Sequence, residues 1–296
     1  MLDTDNFTLH LTKDGSFTFF SQEFNEAFHS HHGAKQESYL KFAFPTQVQT
    51  VAKKGIVRIL DVCYGLGYNT AAALEVIWQE NPTCVVEVIG LELNPEIPKA
   101  AINQHIFNDW DDEYRNILTE LAFKHHLQTN RLQAKLLIGD ARKSIQEVRE
   151  SGFLADAIFL DPFSPPQCPQ LWTVEFIQKV ALCLHENGLL ATYSCAAAVR
   201  TALLAAGLVI GSTTPVGRRT PGTIAAYSKN REKDITDIYP LSQGETEHLQ
   251  TRAAIPYRDS YLSDTAELIL SRRQQEQQTS PLEPTSKWRK RWLRQG

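Results

Sequence analysis

From Gly55 to Tyr227 the chain alternates short β-branched runs with helical stretches, a pattern that restricts it to a parallel sheet with crossover helices. The strand-like runs are Val57–Asp61, Cys84–Leu91, Ala134–Ile138, Ala157–Asp161, Leu189–Tyr193, Leu208–Ser212 and Gly222–Tyr227. Helical spacing falls at Tyr68–Gln79, Pro95–Asn103, Ala141–Ser151, Thr173–His185 and Ala196–Ala205, with Gly207 at a C-cap position. Asn108 to Gln128 exceeds one βα connection, and the spacing of Tyr114, Ile117, Leu118, Leu121 and Ala122 predicts an inserted helix within about 104–130. The last strand follows its predecessor through the hairpin-length Thr213–Pro221, so it should run antiparallel at one end of the sheet.

Around this core (55–228) lie an N-terminal extension (1–54) and a polar C-terminal tail (229–296). Phe7–Leu11 and Ser16–Phe20 alternate about Lys13-Asp14-Gly15, which reads as a β-hairpin. In the tail one helix is expected over Ser263–Arg273, then a flexible Gln/Glu- and Ser/Pro-rich linker over 274–287.

No apolar run approaches the roughly 20 residues that cross a bilayer, and the N-terminus lacks the shape of a signal peptide, so a cytoplasmic address is expected. Five scattered cysteines argue against disulfides or a zinc ribbon. His29, His31 and His32 lack a carboxylate or cysteine complement, so no metal is expected. Net charge is −4, yet residues 271–296 hold seven Lys/Arg against two Asp/Glu, which leaves −9 on the rest. A basic end on an acidic body suits a polyanionic partner, and equally a merely solvated tail.

The first strand runs into Asp61-Val62-Cys63-Tyr64-Gly65-Leu66-Gly67-Tyr68-Asn69 as a helix begins. Glycines there let backbone approach a ligand, though a plain packing turn also uses them. Glu92 ends the second strand, where a carboxylate can accept from both ribose hydroxyls, and Gly139-Asp140-Ala141 ends the third, suited to an adenine edge. Either acid can also serve as a helix cap. The third glycine of a dinucleotide site is missing, whereas S-adenosylmethionine (SAM) has no phosphate and does not need it. Tyr64, Gly65, Gly67, Asn69, Glu92, Asp140 and Ala141 are therefore the candidate cofactor residues, with Cys63 where that pattern has its first glycine. Its side chain must tuck away from the ligand, or the loop must shift.

The fourth strand runs out into Leu160-Asp161-Pro162-Phe163-Ser164-Pro165-Pro166. It is similar to the Asp/Asn-Pro-Pro-aromatic signature of amino-group methyltransferases, and Asp161 is the candidate base. Phe163, Pro165 and Trp172 are the candidate substrate pocket. Together with Pro169-Gln170-Leu171-Trp172, Leu190-Ala191-Thr192-Tyr193-Ser194, Ala198-Val199-Arg200, Ala206-Gly207-Leu208, Phe28-His29-Ser30, Gly33-Ala34, Glu37-Ser38 and Gly217-Arg218-Arg219, this run resembles the methyltransferase part of the MnmC family over residues 7–228.

The resemblance implies a class I SAM-methyltransferase, Rossmann-like α/β fold whose seven-stranded, mostly parallel sheet has its last strand antiparallel. It implies N-methylation of the 5-aminomethyl group on the wobble uridine, 2-thiolated or not, of tRNA held at its anticodon stem-loop. No FAD oxidase domain fits after residue 228, so a stand-alone methyltransferase form is expected. Arg200, Arg218, Arg219, Lys287, Arg289, Lys290 and Arg291 are the candidate RNA contacts, with Trp288 and Trp292 available to stack. Two other readings stay open: an aminopropyltransferase of the spermidine synthase kind, and a Rossmann RNA-binding module without cofactor.

Overall fold

The computed structural model describes residues 7–217, 220–228 and 235–292. Strands β1 (Phe7–Leu11), β2 (Phe17–Ser21) and β3 (Glu26–Ala27) form a small antiparallel sheet. The main sheet holds β4 (Ile56–Val62), β5 (Val85–Glu92), β6 (His126–Gln128), β7 (Leu132–Ile138), β8 (Ala155–Leu160), β9 (Leu184–Thr192), β10 (Val209–Ser212) and β11 (Thr223–Ala226). Helices in chain order are α1 (Ala34–Glu37), α2 (Val48–Ala52), α3 (Tyr68–Glu80), α4 (Glu96–Asn103), α5 (Asp112–Lys124), α6 (Ala141–Glu150), α7 (Val174–Ala181), α8 (Ala197–Ala205), α9 (Ile235–Ile238), α10 (Gln243–His248), α11 (Ala266–Thr279) and α12 (Thr285–Trp292).

The strand order is β10-β11-β9-β8-β4-β5-β7-β6, with β7, β5, β4, β8 and β9 parallel. Alternation along a strand sends successive side chains to opposite faces. Val57 and Ile59 of β4 thus join one core with α3, α5 and the N-terminal residues Ala34, Phe42 and Val48. Leu60 and Val62 join the other, under α6, α7 and α8. Both faces are covered, as parallel strands require.

Three expectations are corrected. The sheet has eight described strands: β6 pairs antiparallel at the edge, where a helix alone was expected. As expected, the last strand β11 is reversed, pairing antiparallel with β10 and β9 at the other end of the sheet. The tail is not a linker over 274–287: α11 runs to Thr279, capped by Thr265, and α12 follows. Gln and Glu are good helix formers, and Ile269 buries that helix against the second core. The helix expected over Thr173–His185 ends at Ala181, because β9 already begins at Leu184. Among the described residues no helix is long and apolar enough to cross a membrane.

Candidate active site

After β4 the chain turns to β5 on one side of the sheet, and β8 returns to pair with β4 on the other. Connections that diverge this way leave a crevice at the strands' carboxyl ends, where open α/β sheets bind ligands. A cavity of about 320 Å³ sits there. Cys63, Tyr64, Gly65, Leu66, Tyr68 and Asn69 line it after β4, Glu92 to Asn94 after β5, and Asp161 to Phe163 after β8.

The β4–α3 turn needs its glycines. Gly65 has φ 58° and Gly67 φ 98°, and a Cβ at Gly67 would meet the Tyr64 hydroxyl at 2.7 Å. Cys63 also holds a left-handed backbone, φ 68°, and it lines the cavity. The cysteine therefore fits by tolerating a conformation that favours glycine, not by leaving the site. Gly67 itself is the N-cap residue of α3 and does not line the cavity.

Glu92 is buried, and its carboxylate accepts from the Gly65 N–H and the Asn94 N–H, each at 2.8 Å. Burial pushes it up to about 7 against those bonds. Asp161 is half-buried and accepts from Asn69 Nδ2 at 2.9 Å. Burial pushes its carboxyl well above the usual range, the Asn69 bond opposes this, and the charges of Asp61 and Glu37 add to it. Asp61, one layer below, bonds Thr70 Oγ1 at 2.7 Å and is raised by burial to about 7. Among the described residues the cavity lining holds five carboxylates (Glu23, Glu26, Glu37, Glu92, Asp161) and no lysine or arginine. Lys41 stands behind the lining and pairs with Glu37 at 2.9 Å.

The loop after β8 is held from three directions. Tyr193 Oη donates to the Pro162 carbonyl at 2.9 Å, Trp172 Nε1 to the Phe163 carbonyl at 2.8 Å, and the Ser164 N–H to Glu26 at 2.9 Å. Phe24 stacks on Phe163 with centroids 4.4 Å apart, and Phe28 meets it edge-on at 4.9 Å. These N-terminal residues were missed as site residues. The Phe28-His29-Ser30 run marks their neighbourhood in the sequence, but contacts across more than 130 positions leave no local signal.

Several sequence candidates lie elsewhere. Trp172 is fully buried and holds the Phe163 carbonyl from behind, and Pro165 is buried too; neither lines the cavity. Asp140 caps α6, and its carboxylate is taken up by the backbone N–H, Nε and Nη2 of Arg142. Ala141 is buried in α6's first turn, and neither residue lines the cavity. Arg200 is 1% exposed and pairs with Glu245 at 2.8 Å, so it is a core cation with no face for RNA. Arg218 and Arg219 lie outside the described residues. Lys287, Arg289 and Lys290 are exposed on α12, while Arg291 is paired with Glu247 and Glu283. Trp288 and Trp292 do not project freely: their indole N–H groups bond the Gly244 carbonyl and Glu247.

Among the buried side-chain atoms without a partner are Tyr64 Oη and Asn69 Oδ1, whose residues line the cavity beside the glycine turn. A polar nucleoside with an amino-acid arm suits that arrangement, since buried polar atoms call for partners.

The sequence pattern of a family described as S-adenosyl-L-methionine-dependent methyltransferase matches residues 104–228. An uncharacterized protein of Methanocaldococcus jannaschii, MJ0670, is 31% identical over 274 residues, covering 89% of this chain and 70% of the relative. The crystal structure of MnmC2 from Aquifex aeolicus superimposes with a TM-score of 0.80 at 33% identity, over 93% of this chain and 86% of that one.

The chain belongs to the MnmC2 family. As a member it is a SAM-dependent methyltransferase. The tRNA 5-methylaminomethyl-2-thiouridine biosynthesis bifunctional protein MnmC of Methylibium petroleiphilum is 25% identical over 215 residues. The chain spans about a third of that relative's length, 32%. In this fold the glycine turn after β4 and the Asp161 loop line one cavity at the switch point.

Proposed function

We propose that the protein transfers a methyl group from SAM to the amino nitrogen of a 5-aminomethyluridine, 2-thiolated or not, at the wobble position of tRNA. The observation that carries this reading is that Asp161 shares one cavity with the Gly65 turn and Glu92, in a lining rich in carboxylates whose described residues include no lysine or arginine. Such a lining favours a cationic substrate over an anionic one. The named role of the bifunctional MnmC relatives in 5-methylaminomethyl-2-thiouridine biosynthesis supports the same substrate.

Tyr64, Gly65, Asn69 and Glu92 would hold SAM, with the Glu92 carboxylate beside the ribose. When bound, SAM supplies an electrophilic methyl on a positively charged sulfur. An alkylamine resembles lysine, pKa roughly 10.4, and arrives protonated and unable to attack. Asp161 would draw the ammonium in, take its proton and so free the lone pair that attacks the methyl as the sulfur–carbon bond breaks, and offset the positive charge meanwhile. Asn69 holds the Asp161 carboxylate by its Nδ2–H, and the Tyr193 and Trp172 bonds fix the loop, so the chain's contribution is chiefly positioning.

The anticodon stem-loop would lie over the cavity mouth, and the exposed α12 cations would meet its phosphates, in the cytoplasm where tRNA is used. The test is mass spectrometry of nucleosides from aminomethyluridine tRNA incubated with enzyme and SAM. A nucleoside heavier by one methylene at the wobble position is expected. Unchanged nucleoside, together with product from putrescine and decarboxylated SAM, would replace this reading by an aminopropyltransferase.

A further inference from the structure

We propose that Phe24, on the turn between β2 and β3, is a stacking surface for the pyrimidine ring of the substrate nucleoside. This inference rests on the reading that the site methylates a 5-aminomethyl pyrimidine. In that substrate the reacting nitrogen is only two bonds from the ring. Once Asp161 holds the nitrogen, the ring has to lie against the immediate neighbours of Asp161, and these are aromatic.

Phe163 follows Asp161 by two residues and lines the same cavity. Its ring is stacked with Phe24 at 4.4 Å and 17°, and Phe28 closes its edge at 66°. Phe24 itself is half-buried and lines the cavity, so part of its surface remains open to a ligand. The turn that carries it is not free to swing away. Glu26, two residues on, accepts the Ser164 N–H at 2.9 Å, and β3 pairs with β2 through Phe20 and Ser21. One hydrogen bond and one ring stack thus join the N-terminal sheet to the loop that carries Asp161.

A base presented to such a site leaves its own stack in the anticodon loop and loses that contact. Proteins that hold single nucleotides offset the loss with aromatic side chains, because every base has a π-face. Phe24 and Phe163 already make an offset stack in the protein, so a pyrimidine can extend it without reorganising either ring. An aliphatic wall of equal volume would exclude water as well, yet it would not stack.

Steady-state methylation of aminomethyluridine tRNA by the full chain and by F24A, F24L and F24Y tests this, with SAM affinity measured in parallel by calorimetry. The expected result is a KM for tRNA raised roughly tenfold or more in F24A and F24L, with SAM affinity kept and kcat changed less. F24Y, which retains a ring, should stay near the parent. F24L with the parent's KM would reduce Phe24 to an apolar wall, and an unchanged or lowered KM in F24A would make it a plug; either overturns the proposal. Should F24A lose SAM binding, the F24L and F24Y pair decides. Absence of methyl transfer by the parent chain overturns the functional reading and this inference with it, a result distinct from an active parent whose variants are indifferent.

Discussion

The cavity and the clamp formed by the C-terminal segment both withdraw carboxylates from water, under opposite conditions. In the clamp, burial pushes the Asp140 carboxyl up, but the N–H groups of Arg142 outweigh it and hold the group below the usual range. Glu245 behaves alike: burial raises it, while Ser212, Ser242 and Arg200 bring it down. Arg142 continues to Asp259, which is fully buried and accepts from the Ser263 and Asp264 N–H groups. In the cavity, the described hydrogen-bond donors to Glu92 and Asp161 are neutral, Lys41 reaches Asp161 only through its charge, and burial leaves both raised. A carboxylate completed by an arginine of its own chain stabilises the fold. One left without a cation is poised to gain from a positively charged ligand, and that contrast separates the site from the scaffold.

The largest break in this comparison should come from Asp161→Ala. Methyl transfer to aminomethyl tRNA should fall by roughly 10²- to 10⁴-fold, the usual worth of a positioned general base, while calorimetry shows SAM binding largely kept. Full activity in that variant would remove Asp161 from the mechanism. On the clamp side, Arg200→Met leaves Glu245 without its cation and should cost about 3 kcal/mol in denaturant unfolding. The salt dependence of tRNA binding should not move, because that guanidinium is enclosed.

A pH experiment sharpens the contrast further. Asp61 sits at about 7 in the folded chain against roughly 3.9 unfolded, so between those values the folded state binds the extra proton. Stability from this group is full below about pH 4 and is lost as pH rises through 7; Glu92, also at about 7, acts in the same sense. Thermal melts of Asp61→Asn should show a flatter decline over that window than the parent does. The smallest effect is expected at α12: replacing Lys287, Arg289 and Lys290 together by Ala should weaken tRNA binding and lower its log–log salt slope by about 2. An unchanged slope would leave that helix a purely structural strap.

Much of this was legible in the sequence because it is local. The glycine turn after Asp61, Glu92 at a strand end and Asp161-Pro162-Phe163 each occupy a few consecutive residues, and the sheet's divergence at β4 brings them together. What stayed hidden depends on distant partners. Arg200 looks like a surface cation until Glu245 arrives from 45 positions later, and Trp172 looks like a pocket wall until its indole turns to the Phe163 carbonyl. Asp140 carried both a cap and an adenine role, and Arg142, two residues on, engages it as a cap. Phe24 and Glu26 carried no signal at all, since a β-turn in an extension says nothing of the loop it will touch.

The described lining of the cavity keeps carboxylates with no lysine or arginine to answer them, and so reserves them for a positively charged ligand. Calorimetry of SAM binding at about pH 6.5, in two buffers of different ionisation enthalpy, counts the protons exchanged on binding. A cationic ligand that completes Glu92 and Asp161 must lower both pKa values, so net proton release is predicted, smaller in Asp161→Asn. Binding with no proton exchange, or with uptake, would contradict it.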